Sequence, residues 1–108
     1  MTDLEMTRLC AEAMGLKQIG ANNSLFPQAI VVTEPSLHVY APLHDDAQAM
    51  AIQKKFGLEI RTEWHNPGKS TAKLKAWIAY SVDEWASDAS LNRAIVECVA
   101  KMQGAKNV

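Results

Sequence analysis

Residues 58–80 read LEIRTEWHNPGKSTAKLKAWIAY and carry the strongest structural signal in the chain. Apolar and charged residues alternate along both arms of this stretch, which is the period of a β-strand with one buried and one solvated face. The central residues 66–69, Asn-Pro-Gly-Lys, are typical turn formers. We therefore expect a β-hairpin whose even-numbered apolar residues share one face, and this parity places Trp64 opposite Ala72 and Glu63 opposite Lys73.

The other face of this hairpin combines both signs of charge with one large aromatic residue. Trp64 has the parity of the apolar residues and is expected in the core, whereas Trp77 has the parity of the charged ones. Aromatic and arginine side chains are enriched at contact surfaces, so this face is the candidate binding surface. Two alternatives stay open, because the second helix or a sister subunit can cover Trp77 as readily as a partner can bind it. The candidate surface comprises Trp77, Arg61, Glu59, Glu63, Lys73 and Lys75.

Three further segments carry helix start and stop signals. Each begins with a side chain that can accept a backbone hydrogen bond, continues as an apolar stripe and reaches a glycine, which can take the left-handed conformation that ends a helix. Thr2 and Glu5 form a capping-box pattern at the first start. The expected N-caps are Thr2 for the first helix, Asp45 or Asp46 for the second and Ser90 or Asp88 for the third; the expected stops are Gly15, Gly57 and Gly104, with a frayed tail over residues 105–108.

The remaining residues predict a second pair of strands. Branched side chains favour strands within residues 28–33 and 37–40, joined tightly and antiparallel. Residues 20–24 are rich in turn formers, and residues 82–89 are interpreted as an irregular connection in which Trp85 plugs the sheet end. The expected architecture is a single α/β domain, a layered sandwich of order α-β-β-α-β-β-α. The second helix is long enough to make strands two and three parallel neighbours in a small mixed four-stranded sheet.

The composition limits both the size of the hydrophobic core and the class of partner that the protein can bind. The chain of 108 residues is 48% apolar, but 16 residues are alanine, and Leu, Ile, Val and Phe together number only 24. A core poor in large aliphatic residues favours support from a partner chain, so a homo-oligomer is one expectation. The net charge of −1 provides no positive electrostatic field that would attract phosphate backbones. A basic run at Lys69, Lys73 and Lys75 is balanced by neighbouring glutamates, which argues against nucleic acid.

The sequence carries signals for neither export nor a disulfide scaffold. Asp3 and Glu5 stand where a signal peptide would carry basic and apolar residues, and no apolar stretch is long enough to span a bilayer. We therefore expect a soluble, intracellular protein without a membrane partner. Cys10 and Cys98 are far apart and fall on apolar helical stripes, which predicts buried and inert thiols.

The cluster His44-Asp45-Asp46 is the strongest candidate in the sequence for a metal-binding or acid-base site. An imidazole and two carboxylates can hold a divalent cation or exchange protons. The same aspartates at a helix N-terminus satisfy free backbone N–H groups, and this capping role is the preferred interpretation. A metal site would need further ligands, such as His38 or His65, to converge on the cluster. We therefore predict no metal and no cofactor, and keep the cluster as a candidate ligand site.

Four segments form a recognisable pattern: LCAEAMG (9–15), PLHDDAQAM (42–50), KFGL (55–58) and LNRAIVECVA (91–100). The pattern resembles the phage α/β/α sandwich domain family, small proteins of tailed bacteriophages and prophages. Its positions are helix caps and packing residues, so the resemblance implies a fold and carries over no catalytic residues. It further implies a phage or prophage origin and action in the host cytoplasm.

These observations favour a small accessory protein that binds a host or phage protein and does not catalyse a reaction. A role against host defence is implied by the origin alone. Two alternatives belong to other classes of protein. The first is a homo-oligomer that binds a small molecule, such as a nucleotide, between subunits. The second is a metal-dependent enzyme centred on His44, Asp45 and Asp46.

Overall fold

The computed structural model describes residues 1–21, 30–32, 38–65, 73–81 and 84–107. The elements in chain order are α1 (Asp3–Ala13), β1 (Gln18–Ala21), β2 (Ile30–Val32), β3 (His38–Tyr40), α2 (Asp46–Phe56), β4 (Glu59–His65), β5 (Lys73–Tyr80), β6 (Trp85–Asp88) and α3 (Leu91–Lys106). Strands β1, β2 and β3 form one antiparallel sheet, sheet A, and strands β4, β5 and β6 form another, sheet B. The expected mixture of helices and strands is confirmed, whereas the order α-β-β-α-β-β-α and the mixed four-stranded sheet are not.

Two short strands account for the difference in order. Residues 20 and 21, expected in a loop, belong to β1, and Trp85, expected in an irregular connection, begins β6. Each strand has four residues and is held by its pairing with β2 or β5, which local propensity does not reveal. Strands β3 and β4, expected as parallel neighbours, lie in different sheets. Helix α2 therefore connects the two sheets and is not a crossover within one.

The helices begin at the predicted caps. Thr2 and Glu5 exchange two hydrogen bonds in a capping box: Glu5 N donates to Thr2 Oγ1 over 3.1 Å, and Thr2 N donates to Glu5 Oε2 over 3.2 Å. Asp45 and Ser90 are the N-caps of α2 and α3. Each cap accepts from a backbone N–H of the first turn, so local sequence determines where all three helices start.

Two of the three predicted helix stops are confirmed. Gly15 and Gly57 have φ of 74° and 60°, a left-handed conformation that glycine adopts without steric cost. Gly104 does not end α3, which continues to Lys106 and takes in part of the tail expected to fray. A Cβ added at Gly104 would contact Leu9 Cδ1 at 3.9 Å, so α1 passes close to this glycine. We attribute the longer helix to this packing, which offsets the low helix propensity of glycine.

Helices α1 and α3 pack side by side and run parallel. Arg93 in the first turn of α3 pairs with Asp3 in the first turn of α1, and Gln103 near the end of α3 donates to Glu12 Oε1 near the end of α1 over 3.0 Å. Between these ends the Cys10 thiol donates to the Val96 carbonyl over 3.2 Å. Helix α3 also contacts α2 and sheet B, which makes it the central element of the fold.

Helix α2 has the same direction as the other two. Asn92 Nδ2 at the start of α3 donates to Asp46 Oδ1 at the start of α2 over 2.8 Å. At the other end, Lys55 Nζ of α2 donates to the Ala13 carbonyl, the last residue of α1, over 3.2 Å. All three helix N-termini therefore lie at one end of the molecule. Among the described residues, none of the helices has the length and hydrophobicity that a bilayer crossing requires.

Aspartates offset the positive ends of these three helix dipoles. Asp3, Asp46 and Asp88 lie at or near the three N-termini, and Arg93 bridges two of them, with Asp88 Oδ2 at 3.6 Å from its Nε. The hydrogen bond from Arg93 lowers the pKa of Asp3, and the charges of Arg93 and His44 act in the same direction. The N-terminal end is thus neutralised by the chain itself.

Sheet A follows the predicted pairing of β2 with β3, in which Val31 pairs with Val39. Its turn lies outside the described residues. Gln48 of α2 attaches the sheet to the helices: its Nε2 donates to the Val39 carbonyl over 3.1 Å, and its Oε1 accepts from Ala41 N over 2.7 Å. Val32 and Tyr40 are buried, so sheet A contributes to the core on its helix side.

Candidate binding surface

An irregularity between β4 and β5 determines which side chains of sheet B face the helices. The predicted pairs, Trp64 with Ala72 and Glu63 with Lys73, are wrong. Lys75 is an extra residue on β5 and forms a β-bulge, and a shift of one residue exchanges the two faces of a strand. The observed Cα pairs around it are His65 with Lys73, Trp64 with Leu74 and Glu63 with Ala76.

The helix-facing side of sheet B is apolar and packs against α3. Ile60, Ala79 and Ala86 form one row across the three strands, and both alanines are buried. Trp77 lies on the same side, half-buried against the core. Its own chain therefore covers part of Trp77.

The opposite side of sheet B carries Ile78 and Tyr80, which the predicted parity placed on the buried face of the hairpin. Tyr80 pairs with Glu59 and Trp85, and Ile78 pairs with Arg61 and Ser87, so these six residues share one side. Trp85 is 57% exposed, which is high for a tryptophan. We call this side the outer face; it consists of Glu59, Arg61, Ile78, Tyr80, Trp85 and Ser87.

Arg61 forms two contacts within the outer face. Its Nη2 lies 2.8 Å from Glu59 Oε1 and its Nε donates to the same oxygen over 2.9 Å, while its guanidinium lies 5.5 Å from the centre of the Tyr80 ring. The hydrogen bond from Arg61 to Glu59 raises the pKa of the guanidinium, which is charged at every physiological pH. Both side chains are largely exposed, so solvent screens the pair and it contributes little to stability.

Lys101 of α3 reaches around the edge of the sheet to Trp85. Its Nζ lies 5.7 Å from the centre of the Trp85 ring, donates to the Trp85 carbonyl over 3.3 Å and lies 3.8 Å from Glu97 Oε1. The ammonium thus restrains the tryptophan on the surface. It also occupies a carbonyl of the edge strand β6 that another strand would need for pairing.

A shallow groove of about 330 Å³ runs between the two aromatic rings, lined by Ile78, Tyr80, Trp85 and Ser87. Aromatic and aliphatic side chains form its floor, and one hydroxyl is available for hydrogen bonding. The two cations beside the rings are each paired with a glutamate, so the surface has both signs of charge and little net charge. Such a surface can bind apolar and uncharged groups; it offers no nucleophile with an adjacent base.

The predicted binding residues are distributed over both sides of the sheet. Arg61 and Glu59 lie on the outer face, and Trp77 lies on the helix-facing side. The side chains of Glu63, Lys73 and Lys75 lie outside the described residues. Sequence reasoning missed Ile78, Tyr80, Trp85 and Ser87. The bulge concealed the first two, and residues 85–88, Trp-Ala-Ser-Asp, have no alternation of polar and apolar residues that would indicate a strand.

The cluster at residues 44–46 has helix-capping contacts. Asp45 Oδ1 accepts from Gln48 N over 3.0 Å, as an N-cap does, and Asp46 Oδ1 is bonded to Asn92. Among the described residues, no group of three or more His, Cys, Asp or Glu side chains is close enough to hold a metal ion. A cleft of about 430 Å³ beside the cluster is lined by Asp46, Met50, Ser90, Leu91 and Asn92.

The prediction of two buried thiols is confirmed. Burial raises the pKa of Cys10 to about 12, and burial also raises the pKa of Cys98, whose Sγ lies 3.7 Å from the Glu84 carbonyl. A thiol with a raised pKa and no access to solvent is a poor nucleophile. Neither cysteine is suited to catalysis in the folded protein.

Comparisons of this chain with protein-family models, with curated proteins and with solved structures give no match. The outer face and the cluster at residues 44–46 are therefore the features of the molecule that bear on its function.

Proposed function

We propose that this protein acts by binding another protein through the outer face of sheet B, as a small accessory protein of phage or prophage origin in the host cytoplasm. The observation that carries the proposal is the exposure of Trp85, at 57%, beside Tyr80 and Arg61. Tryptophan, tyrosine and arginine dominate the binding energy of protein interfaces. The origin and the location rest on the resemblance of the helical segments to phage proteins.

The charge of the outer face favours a protein partner over a nucleic acid. Phosphate backbones are bound by clustered cations that stay uncompensated. Arg61 is engaged by Glu59, and Lys101 by Glu97, so neither cation is free to attract phosphate. Mixed charges around an apolar centre are instead the arrangement of a protein interface, with a polar rim.

The shape of the outer face favours a protein over a small molecule. Small-molecule sites enclose most of their ligand. Here the groove is open, and its largest ring, that of Trp85, is more than half exposed before anything binds. An open groove with an aromatic pair can accept a side chain that projects from a larger partner.

Site-specific crosslinking tests the proposal. A photo-reactive amino acid at position 87, within the groove, is expected to capture one host or phage protein from infected cells. We expect Trp85→Ala to reduce the captured amount by about tenfold or more, because it removes an interface anchor. Val39→Ala is the matched control, since Val39 is an exposed apolar residue of sheet A, 41% accessible, and it should leave capture unchanged.

Equal capture by the Trp85→Ala and Val39→Ala proteins would contradict the proposal. Native mass spectrometry of the gently purified protein addresses the alternatives. A nucleotide retained at one per subunit would favour the ligand-binding homo-oligomer, and a stoichiometric metal would favour the enzyme centred on His44, Asp45 and Asp46.

A further inference from the structure

A second depression lies next to the groove on the outer face, and the two share the Tyr80 ring. We call it the Phe56 cleft; it has a volume of about 270 Å³ and is lined by Phe56, Gly57, Glu59, Tyr80 and Ser81. The groove, at about 330 Å³, lies on the Trp85 side of the same ring. Both depressions are open, so each can accept a projecting side chain but does not enclose a separate ligand.

The two depressions are spaced along one row of the sheet. Trp85 is paired with Tyr80, and Tyr80 is paired with Glu59, so the row crosses all three strands. Neighbouring strands are about 4.8 Å apart, which makes the row about 9–10 Å long. One turn of a polyproline II helix has three residues and advances about 9 Å. A peptide in this conformation that crosses the strands therefore spans both depressions in one turn.

The free hydrogen-bonding groups of this row are side-chain donors. The two hydrogen bonds of Trp85 use its backbone N–H and its carbonyl. Within the part of the chain that the structure describes, the indole N–H of Trp85 and the hydroxyl of Tyr80 have no hydrogen-bond partner. Proline has no N–H, and its carbonyl is an acceptor that a polyproline II helix leaves unbonded. A proline-rich segment therefore supplies the acceptors that these donors lack.

The charges of the outer face also favour an uncharged segment. Arg61 is paired with Glu59, and Lys101 is paired with Glu97, so a charged peptide would have to disrupt one of these pairs. An uncharged peptide leaves both intact. The same two cations lie 5.5 and 5.7 Å from the centres of the two aromatic rings and restrain them. A groove whose walls are already restrained loses less entropy on binding.

We propose that the outer face binds a proline-rich segment in the polyproline II conformation, with two prolines three residues apart. One proline lies in the groove against Trp85, and the other lies in the Phe56 cleft on the far side of Tyr80. Such segments bind aromatic-lined grooves because their conformation is formed before binding. The inference rests on the proposed function, since it specifies which segment of a protein partner the outer face receives.

Nuclear magnetic resonance titration of the full chain tests the inference with a defined probe. The probe is a ten-residue polyproline peptide with an acetyl group and an amide at its ends. We expect saturable shifts of the Trp85 indole N–H signal and of the amides of Ser87 and Ser81, which line the groove and the Phe56 cleft. A glycine-serine peptide of equal length is flexible and should cause no such shifts.

Two variants separate the ring from the hydrogen bond. Trp85→Ala should weaken polyproline binding about tenfold or more, because it removes the wall of the groove. Tyr80→Phe keeps the ring and removes only the hydroxyl, so we expect binding about three- to tenfold weaker. Val39→Ala is the matched control, since this exposed apolar residue lies in sheet A, and binding should be unchanged. Circular dichroism confirms that each variant is folded.

The spacing of the two prolines has its own test. Alanine peptides that carry two prolines either three or five residues apart have the same composition and differ only in spacing. The peptide with the spacing of three should bind about fivefold more tightly, because only its prolines reach both depressions at once. Equal affinities would contradict the placement of the two prolines.

Two further results would overturn the inference: equal shifts with the glycine-serine peptide, or unchanged polyproline affinity in Trp85→Ala. Shifts of the same signals on dilution without peptide would also overturn it, because a second copy of the chain would then occupy the face. Capture at position 87 that depends on Trp85, without any response to polyproline, would contradict this inference and leave the proposed function in place. Polyproline binding with equal capture by the Trp85→Ala and Val39→Ala proteins would contradict the proposed function alone.

Discussion

Asp3 connects two parallel helices through one carboxylate. It occupies the first turn of α1, where a negative charge stabilises the helix dipole, and it accepts a hydrogen bond from Arg93 of α3. Arg93 in turn lies near Asp88 at the N-terminus of its own helix. Because the three dipoles are parallel, their positive ends lie near one another. Removing this carboxylate leaves part of that positive charge uncompensated.

We predict that Asp3→Asn lowers stability at neutral pH and has no effect in acid. The hydrogen bond from Arg93 holds the pKa of Asp3 below its ordinary value of 3.8. The ion pair therefore stabilises the fold above that pH, and its contribution is lost as the pH falls through the lowered pKa. Both side chains are about one third exposed, so we expect about 0.5–1 kcal/mol at pH 7 in urea denaturation.

Asp45→Asn is the matched control for that measurement. Asparagine caps a helix as well as aspartate does, so the acceptor for Gln48 N is kept. A loss of stability in Asp3→Asn that stayed constant from pH 7 to below pH 3 would show that the pair with Arg93 contributes nothing.

At the scale of elements, sheet B is defined by the bulge at Lys75. The bulge places Trp77 on the side of the sheet that faces the core and Trp85 with Tyr80 on the outer face. A regular hairpin would place Tyr80 and Ile78 toward the helices instead. The identity of the binding surface therefore depends on one extra residue in one strand.

The two tryptophans give a direct test of this arrangement. Trp77→Ala should lower the free energy of unfolding by about 2–3 kcal/mol, because it leaves a cavity against the core. Trp85→Ala should change it by less than about 1 kcal/mol, since that ring is mainly exposed. Chemical denaturation of both variants measures the difference, and the reverse order of stabilities would mean that the faces are exchanged.

Helix α3 offers a second test at this scale. Gly104 is in the last turn of α3, and an added Cβ would meet Leu9 Cδ1 at an ordinary contact distance of 3.9 Å. We expect Gly104→Ala to raise stability by about 0.5–1 kcal/mol, or about 3–6 °C in Tm. Gly57→Ala should instead destabilise, because the backbone there has a φ of 60°. A lower Tm for Gly104→Ala would show that α3 ends before this residue.

Sequence was sufficient for the helices because their signals are local. Thr2, Asp45 and Ser90 cap the turn that follows them, and Gly57 ends a helix through its own backbone conformation. The prediction from sequence failed at Gly104, because contact with α1 prolongs α3 beyond this glycine. The strands were less predictable, since β1 and β6 exist by pairing with partners that lie elsewhere in the chain.

At the scale of the whole molecule, α3 joins the helices α1 and α2 to sheet B. It lies between α1 and sheet B and also contacts α2, so its side chains are buried on several sides. Small residues within it allow these close approaches, as at Gly104. Its buried residues are Ala94, Ile95, Val96, Cys98, Val99 and Ala100.

The two thiols report on the integrity of this arrangement. Cys10 and Cys98 are buried at the contacts of α3 with α1 and with the Glu84 carbonyl, so a thiol reagent reaches them when α3 separates from its neighbours. We predict that both react with Ellman's reagent at pH 8 at the rate of unfolding, and immediately in concentrated guanidinium. Rapid reaction of either thiol in the native protein would contradict the burial of α3.

The sequence by itself determined the three helices, their caps, the pairing of β2 with β3 and the burial of both cysteines, because each depends on neighbouring residues or on a strong apolar pattern. Only the tertiary structure decided which side of sheet B faces the helices and which aromatic rings remain exposed. The physical reason is that a strand has a period of two, so one extra residue at Lys75 exchanges its faces without altering its composition.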